Sequence, residues 1–402
     1  MSELVHIIIG AGQAGGHAAI AMREAGFGGR ILLIGDEPHR PYERPPLSKE
    51  MLSAAEPPPP LWFHSEQRYA ERAIETRLGS PVAAIDTVAQ RVLLRNGARL
   101  AYDRLLLATG GRARRLAIPG GERMLLLRTL EDARALRARL RPGLRIACIG
   151  AGVIGLEIAA AATQRGCAVE VIEAGPAPMG RSLTPDFAAW IAALHRAAGV
   201  RLHFNATVQG IEPDRVICAV GLVVEADLVV AGVGMQRNTA LAEAAGLAVD
   251  GGIVVDEFGR SSVANIYAAG DVAAFWHPRY GRRLRLESWR HAQNHGIATG
   301  RAMAGVMEPY DEIPWFWSDQ HGANLQMAGL LDGASTDVWR GATTGRSFAA
   351  FHLDAAGRVL AATGVNAMRE IRAAQAMIRA GRPVDAAALA DPAGNLQKLA
   401  KG

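Results

Sequence analysis

Residues 5–15 read VHIIIGAGQAG, an apolar run typical of a buried strand that leads directly into a G-x-G-x-x-G turn. A helix is predicted after the turn, and the apolar run at 31–34 predicts a second strand that ends near the acid Asp36. This order is typical of a dinucleotide-binding βαβ unit, in which the helix N-terminus faces a pyrophosphate and the acid accepts from a ribose hydroxyl. The pattern alone leaves open which dinucleotide is bound.

The same pattern occurs again in the middle of the chain. An apolar run at 145–149 meets a second G-x-G-x-x-G turn at 150–155, a helix is predicted from Leu156 to about Arg165, and a strand at 169–172 precedes Glu173. Two complete copies of strand, turn, helix, strand and acid are improbable by chance. The sequence therefore predicts two dinucleotide sites in one chain.

The remaining pattern predicts three folded regions. Apolar strands at 105–107 and 266–268 return to the first sheet, a strand at 228–231 closes the second, and residues 81–103 predict antiparallel strands with a hairpin turn at Asn96-Gly97. From about Trp315 the pattern predicts antiparallel strands near 325–330, 336–339, 347–353 and 358–365, then a helix from Asn366 to Ala380 with Gly381 as its C-cap. The predicted class is α/β with two Rossmann-type domains and a C-terminal α+β domain. The first domain is predicted to consist of residues 1–111 and 237–314, the second of residues 112–236 and the third of residues 315–402.

Composition excludes several classes of protein. The 402 residues are 50% hydrophobic and 21% charged, as expected for a globular chain, and no apolar run or signal peptide predicts a membrane or secreted protein, so we expect a cytoplasmic one. Its three cysteines, Cys148, Cys167 and Cys218, lie too far apart in sequence for a C-x-x-C redox pair or a zinc site, and no metal is predicted. Only three of the 44 basic residues are lysines. We attribute this skew to the base composition of the genome rather than to nucleic-acid binding, and it makes Lys49 conspicuous.

A proline-rich loop carries Lys49. The two prolines Pro45 and Pro46 hold the backbone rigid, and Ser48 is predicted to cap a short helix that carries Lys49. The mixture of residues in 37–49 is too specific for a flexible linker and indicates a loop that contributes to a site. The run of prolines at 57–60 is predicted to be an exposed turn without chemistry.

Five segments together resemble the NADH-dependent ferredoxin reductases, FAD proteins that serve ring-hydroxylating dioxygenases and some cytochromes P450, and especially the reductases of biphenyl-type dioxygenase systems. They are PYERPPLSK (41–49), LRTLEDA (127–133), GLE (155–157), YAAGD (267–271) and PWFWSDQ (314–320). The resemblance covers essentially the whole chain. It implies a glutathione-reductase-like fold with FAD in the first domain, NADH in the second and a C-terminal domain that helps to cover the flavin.

The resemblance also implies which residues contact each cofactor. For FAD they are Gly10, Gly12, Gln13, Ala14, Gly15, Asp36, Glu37, Arg44, Pro46, Lys49, Val82, Ala108, Thr109, Gly110, Arg128, Gly270, Asp271, Glu287, Ser288, Trp289 and Trp317. For NADH they are Gly150, Gly152, Val153, Ile154, Gly155, Glu157, Glu173, Arg181, Gly232, Val233 and Gly234. Trp317 has the alternative interpretation of a core tryptophan. The segment Met235-Gln236-Arg237-Asn238 departs from the family, which more often has a proline before the asparagine, so no contacts are predicted there.

Three residues carry the chemistry that the resemblance implies. Lys49 and Glu157 would pair near the flavin, steady the charge of the reduced ring and orient the nicotinamide. The alternative for Glu157 is an ordinary charge in the first turn of a helix. Glu173 would accept from both hydroxyls of the NADH ribose and repel the 2′-phosphate of NADPH, although Arg181 lies close to it in sequence.

The implied partner is an acidic [2Fe–2S] ferredoxin. Arg279, Arg282, Arg283, Arg285, Arg290 and Arg301 outnumber the acids Asp271 and Glu287 between 271 and 301, which predicts a docking surface there; the alternative is a generally arginine-rich surface. His291 and His295 lie four residues apart, and we expect them on a solvated helix face rather than on a metal. The rival functions are an NADH-sensing flavoprotein like the apoptosis-inducing factors, a rubredoxin reductase and, more weakly, a nucleic-acid-binding protein.

Overall fold

The computed structural model describes residues 4–401, with the side chain of Val220 left out. The strands are β1 (Val5–Ile9), β2 (Arg30–Ile34), β3 (Ile74–Arg77), β4 (Val82–Asp86), β5 (Arg91–Leu94), β6 (Arg99–Ala101), β7 (Arg104–Leu107), β8 (Gly111–Ala113), β9 (Leu125–Leu126), β10 (Arg145–Ile149), β11 (Ala168–Ile172), β12 (Arg201–His203), β13 (Val208–Ile211), β14 (Arg215–Cys218), β15 (Val223–Glu225), β16 (Leu228–Ala231), β17 (Met235–Arg237), β18 (Ile253–Val255), β19 (Ile266–Ala268), β20 (Ala273–His277), β21 (Arg282–Leu284), β22 (Trp315–Gln320), β23 (Ala323–Gly329), β24 (Thr336–Arg340), β25 (Phe348–Leu353) and β26 (Val359–Val365).

The α-helices are α1 (Gln13–Glu24), α2 (Glu50–Ser53), α3 (Glu66–Glu71), α4 (Leu130–Arg137), α5 (Val153–Gln164), α6 (Pro185–Ala197), α7 (Ala240–Ala244), α8 (Trp289–Met303), α9 (Met368–Ala380), α10 (Ala386–Ala390) and α11 (Leu396–Lys401). Short 3₁₀ helices occur at Pro45–Ser48, Gly121–Arg123, Ala219–Gly221 and Gly270–Val272. None of the helices within residues 4–401 is long and apolar enough to cross a membrane.

The chain forms two compact units, and the first consists of residues up to Glu43, Pro59–Arg112 and Met235–Glu312. Its main sheet is parallel with the order β19-β7-β1-β2-β3, so the strand that follows residue 265 pairs with the strand that follows residue 103. Helix α8 packs closely on α1, because Gly296 and Gly300 have no side chains and lie against the backbone of Ala14 and Ala18. The antiparallel sheet β4-β5-β6 carries the predicted Asn96-Gly97 turn.

The second unit consists of Arg44–Pro58, Ala113–Gly234 and the residues from Ile313 onward. Its parallel sheet has the order β12-β11-β10-β16-β9, and the second glycine turn directly follows β10. Its antiparallel sheet β22-β23-β26-β25-β24 packs against α9, whose C-cap Gly381 is left-handed, as predicted. The two parallel sheets and the C-terminal α+β region confirm the predicted class. The four-segment assignment of cofactor domains remains a prediction.

Some local predictions were wrong in detail. Ser48 ends a 3₁₀ helix instead of capping a helix, and Lys49 is the residue that precedes α2. Helix α5 begins at Val153, directly after the glycine turn, rather than at Leu156. Helix α4 begins at a reciprocal capping box, which Thr129 and Asp132 form. The short helices α10 and α11 lack a long apolar period and were not predicted.

Candidate functional site

The first glycine turn forms a cradle between β1 and α1. A Cβ on Gly15 would lie 1.9 Å from the carbonyl oxygen of Gly10, so the helix can approach the strand only with glycine there. A Cβ on Gly12 would meet nothing within 4 Å, which leaves open space before the N-terminus of α1. Gln13 begins this helix, and its buried amide oxygen has no hydrogen-bond partner among residues 4–401. The open space and the N–H groups of a helix terminus without a side-chain cap fit a dinucleotide pyrophosphate.

Carboxylates lie at the end of β2, where the sequence placed the ribose contact. Asp36 is exposed and accepts from the backbone N–H of Glu37 at 3.0 Å. The Glu37 carboxylate accepts from the Tyr42 hydroxyl at 2.7 Å, which fixes its position. Val82 lies half-buried at the start of β4. Two carboxylates therefore lie just after β2, where the ribose lies in a βαβ site.

Asn238 holds the loop that follows β7. Its amide nitrogen donates to the Thr109 carbonyl at 2.9 Å, its own carbonyl accepts from the Thr109 hydroxyl at 2.9 Å, and its N–H donates to the Gly110 carbonyl at 3.0 Å. The preceding Ala108 is tied to Ile9 by a backbone hydrogen bond of 2.8 Å. The predicted FAD loop 108–110 is therefore fixed by a segment for which the sequence predicted no contacts.

Arg237 ties a second predicted FAD segment in the same way. Its Nε donates to the Asp271 carbonyl at 2.7 Å, and its guanidinium pairs with Glu287 at 2.8 Å. The Gly270 N–H donates to Nδ1 of His295 at 3.2 Å. The departure from the family at Arg237 thus provides a link between the loop after β19 and the segment that precedes α8.

The expectation that His291 and His295 lie on a solvated face was wrong. Both rings are buried against Phe275 and Tyr310. Burial lowers the pKa of His291 to about 4, and burial also lowers the pKa of His295 well below its ordinary value. Within the described part of the chain, no group of three or more potential ligands could hold a metal ion.

Trp289, at the start of α8, is held by an acid from the segment before the proline-rich loop. Its indole N–H donates to the Glu43 carboxylate, and burial raises the pKa of Glu43. Ser288 caps the helix by accepting from the His291 N–H at 3.3 Å. The predicted contacts 287–289 therefore have fixed positions in the first unit.

The second glycine turn repeats the geometry of the first. A Cβ on Gly155 would lie 2.0 Å from the Gly150 carbonyl oxygen, and a Cβ on Gly232 would lie 2.8 Å from the Gly155 nitrogen. Gly152 is the N-cap of α5 and has no side-chain cap, while Ile154 is 40% exposed on the first turn. This turn also fits a pyrophosphate.

Glu173 lies next to that turn and is held by two backbone donors. One carboxylate oxygen accepts from the Ala151 N–H at 2.7 Å and the other from the Gly175 N–H at 2.7 Å. Its side chain is thereby fixed at the end of β11, where a ribose would lie in a βαβ site. Arg181 is exposed in the loop that follows.

A buried ion pair joins the proline-rich loop to α5. Nζ of Lys49 lies 2.7 Å from Oε1 of Glu157, and their side chains are only 12% and 1% exposed. The Ser48 hydroxyl donates to Oε2 of Glu157, and the Ser318 hydroxyl donates to Oε1 at 2.6 Å. Glu157 lies in the second turn of α5 and is buried, so the interpretation as an ordinary first-turn charge was wrong. The sequence identified the pair but missed both serines.

Other predicted FAD contacts also belong to the second unit. Lys49 Nζ lies 5.7 Å from the ring centre of Trp317, which stacks on Trp315 with ring centres 5.3 Å apart and is half-buried. The Arg44 guanidinium donates to the Arg128 carbonyl at 2.6 Å. Pro46 accepts from the Lys49 N–H at 3.1 Å and so shapes the loop.

Comparisons with known proteins agree with this geometry. Residues 5–296 match the pyridine nucleotide-disulphide oxidoreductase family and residues 315–400 match the reductase C-terminal family. The ferredoxin–NAD(+) reductase component of the anthranilate 1,2-dioxygenase system of Burkholderia cepacia is 40% identical over 98% of both chains. The chain belongs to the ferredoxin–NAD(+) reductases of this family. The biphenyl dioxygenase counterpart from Paraburkholderia xenovorans is 39% identical, also over 98% of both chains.

Solved structures of ferredoxin reductases also have this fold. The ferredoxin reductase for the CYP199A2 system from Rhodopseudomonas palustris has a TM-score of 0.95 and 37% identity, covering 98% of this chain and 99% of that one. The covalent putidaredoxin reductase–putidaredoxin complex has a TM-score of 0.95 and 36% identity, covering 99% and 98%. This ferredoxin reductase therefore has the glutathione-reductase-like fold, and its family uses FAD with a pyridine nucleotide.

Two features of this ferredoxin reductase refine what the sequence indicated. Its three cysteines are buried free thiols, so the disulphide of the family name has no counterpart here. Four arginines of the predicted docking segment pair with acids from outside it, which makes the local excess of positive charge smaller than the sequence count. These pairs are Arg279–Asp311 (3.0 Å), Arg285–Asp250 (3.9 Å), Arg290–Glu312 (3.2 Å) and Arg301–Glu308 (3.3 Å).

Proposed function

We propose that this protein oxidises NADH and delivers the electrons, through bound FAD, to a [2Fe–2S] ferredoxin that serves an oxygenase. The observation that carries the proposal is the buried Lys49–Glu157 pair, with Glu157 on the helix that begins at the second glycine turn. Two glycine cradles in one chain supply two dinucleotide sites. The relatives named for ferredoxin–NAD(+) reductase activity cover the same length of chain.

The first unit would hold most of the FAD. The cradle around Gly12 would bind the pyrophosphate of FAD, and the acids Asp36 and Glu37 would bind its ribose. The fixed loops at 108–110 and 270–271 would contact the rest of the FAD molecule. When bound, FAD would accept two electrons together as a hydride and release them one at a time. The protein's own part is to bind, orient and exclude water, so no protein nucleophile is required.

The second unit would hold NADH and select it over NADPH. Glu173 presents a fixed carboxylate, which accepts hydrogen bonds from ribose hydroxyls and repels a 2′-phosphate. Glu157 and Lys49 would orient the nicotinamide, because their three hydrogen bonds leave the carboxylate little freedom to rotate. Lys49 contributes a compact charge that arginine's planar guanidinium does not reproduce.

Flavin absorption tests the proposed function directly. The purified protein should be yellow, and under anaerobic conditions its flavin absorption should bleach faster with NADH than with NADPH. A protein that cannot be reconstituted with FAD, or whose flavin is not reduced by NADH, would contradict the proposal.

The docking surface is proposed to include Arg282 and Arg283, which are exposed on β21. Opposite charge on an acidic ferredoxin would steer the encounter more than it fixes the affinity, so coupled turnover should decline with ionic strength. Charge reversal at both arginines should weaken that dependence, whereas Arg346→Glu, on an exposed turn of the other unit, should not. Unchanged salt dependence in the double variant would place the dock elsewhere.

A further inference from the structure

A chain of buried polar side chains leads away from Glu157 within the second unit. The Ser318 hydroxyl contacts Glu157 at 2.6 Å, Nε2 of Gln320 contacts Ser318 at 2.8 Å, and Oε1 of Gln320 contacts Nε2 of His195 at 2.8 Å. Nδ1 of His195 then lies 3.2 Å from Nε2 of His321. Ser318, Gln320 and His195 are buried, and His321 is partly exposed.

The carboxylate at one end fixes the direction of every hydrogen bond. An ionised Glu157 only accepts, so the Ser318 proton points to it and the Ser318 oxygen must accept from Gln320. The amide nitrogen of Gln320 therefore faces Ser318, and its oxygen requires a proton on Nε2 of His195. Burial lowers the pKa of His195 to about 4, so the neutral ring carries that one proton at pH 7. Its Nδ1 is then the acceptor for His321.

The hydrogen-bonded series from Glu157 to His321 does not carry protons between these two residues. A side-chain amide donates through nitrogen and accepts through oxygen, and passing a proton through it would require the unfavourable imidic acid form. The series instead provides donors that all point towards one buried carboxylate. Each bond polarises the next, which strengthens the donor that reaches Glu157.

We propose that Ser318, Gln320 and His195 are positioning residues for the Lys49–Glu157 pair. Gln320 and His195 hold the Ser318 hydroxyl in the one rotamer that donates to Glu157 Oε1, the same oxygen that contacts Lys49. The C-terminal strand β22 and helix α6 thereby set the orientation of a carboxylate on α5. This inference rests on the proposed function, because the carboxylate's orientation matters for a nicotinamide.

Stopped-flow reduction of the FAD-loaded protein by NADH tests the proposal. Ser318→Ala should lower the limiting rate of flavin reduction by about tenfold, the effect of one hydrogen bond to a charged group, with a smaller change in half-saturation. Gln320→Leu should lower that rate by about fivefold in the wild-type background and by less than about twofold in the Ser318→Ala background, because it acts through Ser318. Equal losses in the two backgrounds would overturn the proposal.

A matched control separates positioning from general damage to the fold. Thr363→Val removes a buried hydroxyl from the same C-terminal sheet, where it contacts His352 at 3.0 Å, and should leave the rate unchanged. Imidazole ¹⁵N NMR should show His195 as the single Nε2–H tautomer in the wild type and in Thr363→Val, but not in Gln320→Leu. An Nδ1–H tautomer in the wild type would overturn the proposal. If NADH does not reduce the flavin of the wild-type protein, the proposed function is contradicted instead. The NMR measurement would still show whether His195 has the tautomer that the hydrogen-bonded series requires.

Discussion

Replacing Lys49 with methionine should leave a buried carboxylate without its counter-ion. The Lys49 and Glu157 side chains are 12% and 1% exposed and their charged atoms lie 2.7 Å apart, so water replaces little of the lost interaction. Removing one partner of a buried pair costs about 3–5 kcal/mol. The hydroxyls of Ser48 and Ser318 remain as donors, so we expect Lys49→Met to lower the free energy of unfolding by about 3 kcal/mol.

A second substitution distinguishes this cause from lost packing. Glu157→Gln removes the charge that Lys49→Met leaves unpaired, so the double variant should recover at least half of the lost stability. Urea unfolding of the FAD-loaded protein, followed by far-ultraviolet circular dichroism, measures all four proteins. A double variant that loses the sum of the two single effects, or a Lys49→Met variant that loses less than about 1 kcal/mol, would show that Glu157 does not depend on Lys49 as its counter-ion.

Three further outcomes are expected. Glu173→Gln should reduce the preference for NADH over NADPH by about tenfold in kcat/KM, because an amide no longer repels a 2′-phosphate; an unchanged ratio would contradict the assigned role. The pKa of His291 is lowered from 6.5 to about 4 by burial, so its unfolding takes up a proton between these values, and this one group should contribute about 1.4 kcal/mol per pH unit to the fall in stability on acidification through that window. His291→Gln should reduce that slope in urea titrations, and an unchanged slope would assign it to other groups. Asn238→Ala should raise the dissociation constant for FAD about tenfold, measured by flavin fluorescence, because the loop 108–110 loses its side-chain donor; unchanged FAD affinity would show that this clamp does not support the flavin site.

Local patterns were sufficient to predict the two glycine cradles. The turns at 10–15 and 150–155 have short-range requirements, since a Cβ on Gly15 or Gly155 would overlap a carbonyl only five residues away. The acids at the ends of β2 and β11 follow from the same βαβ geometry. Lys49 and Glu157, 108 residues apart, required the resemblance to a known family as well.

The rest depends on contacts between segments that are distant in sequence. Ser318 contacts Glu157, and Gln320 contacts Ser318, only because β22 packs near α5. No local pattern identifies these two polar residues as having buried partners. The burial of His291 results from its packing against Phe275 and Tyr310, which no local pattern around His291 predicts. The G-x-x-x-G spacing of Gly296 and Gly300 was a signal that α8 packs closely on another helix, but it does not mark the face that carries His291 and His295.

Counting electrons in a complete reaction tests whether this protein passes the electrons of NADH singly to a ferredoxin. The FAD-loaded protein is mixed anaerobically with limiting NADH and excess oxidised [2Fe–2S] ferredoxin, and reduced ferredoxin is counted from its absorption. Two ferredoxins should be reduced for each NADH consumed, since one hydride carries two electrons and each cluster accepts one. Consumption of NADH with bleached flavin but no reduced ferredoxin would contradict the account.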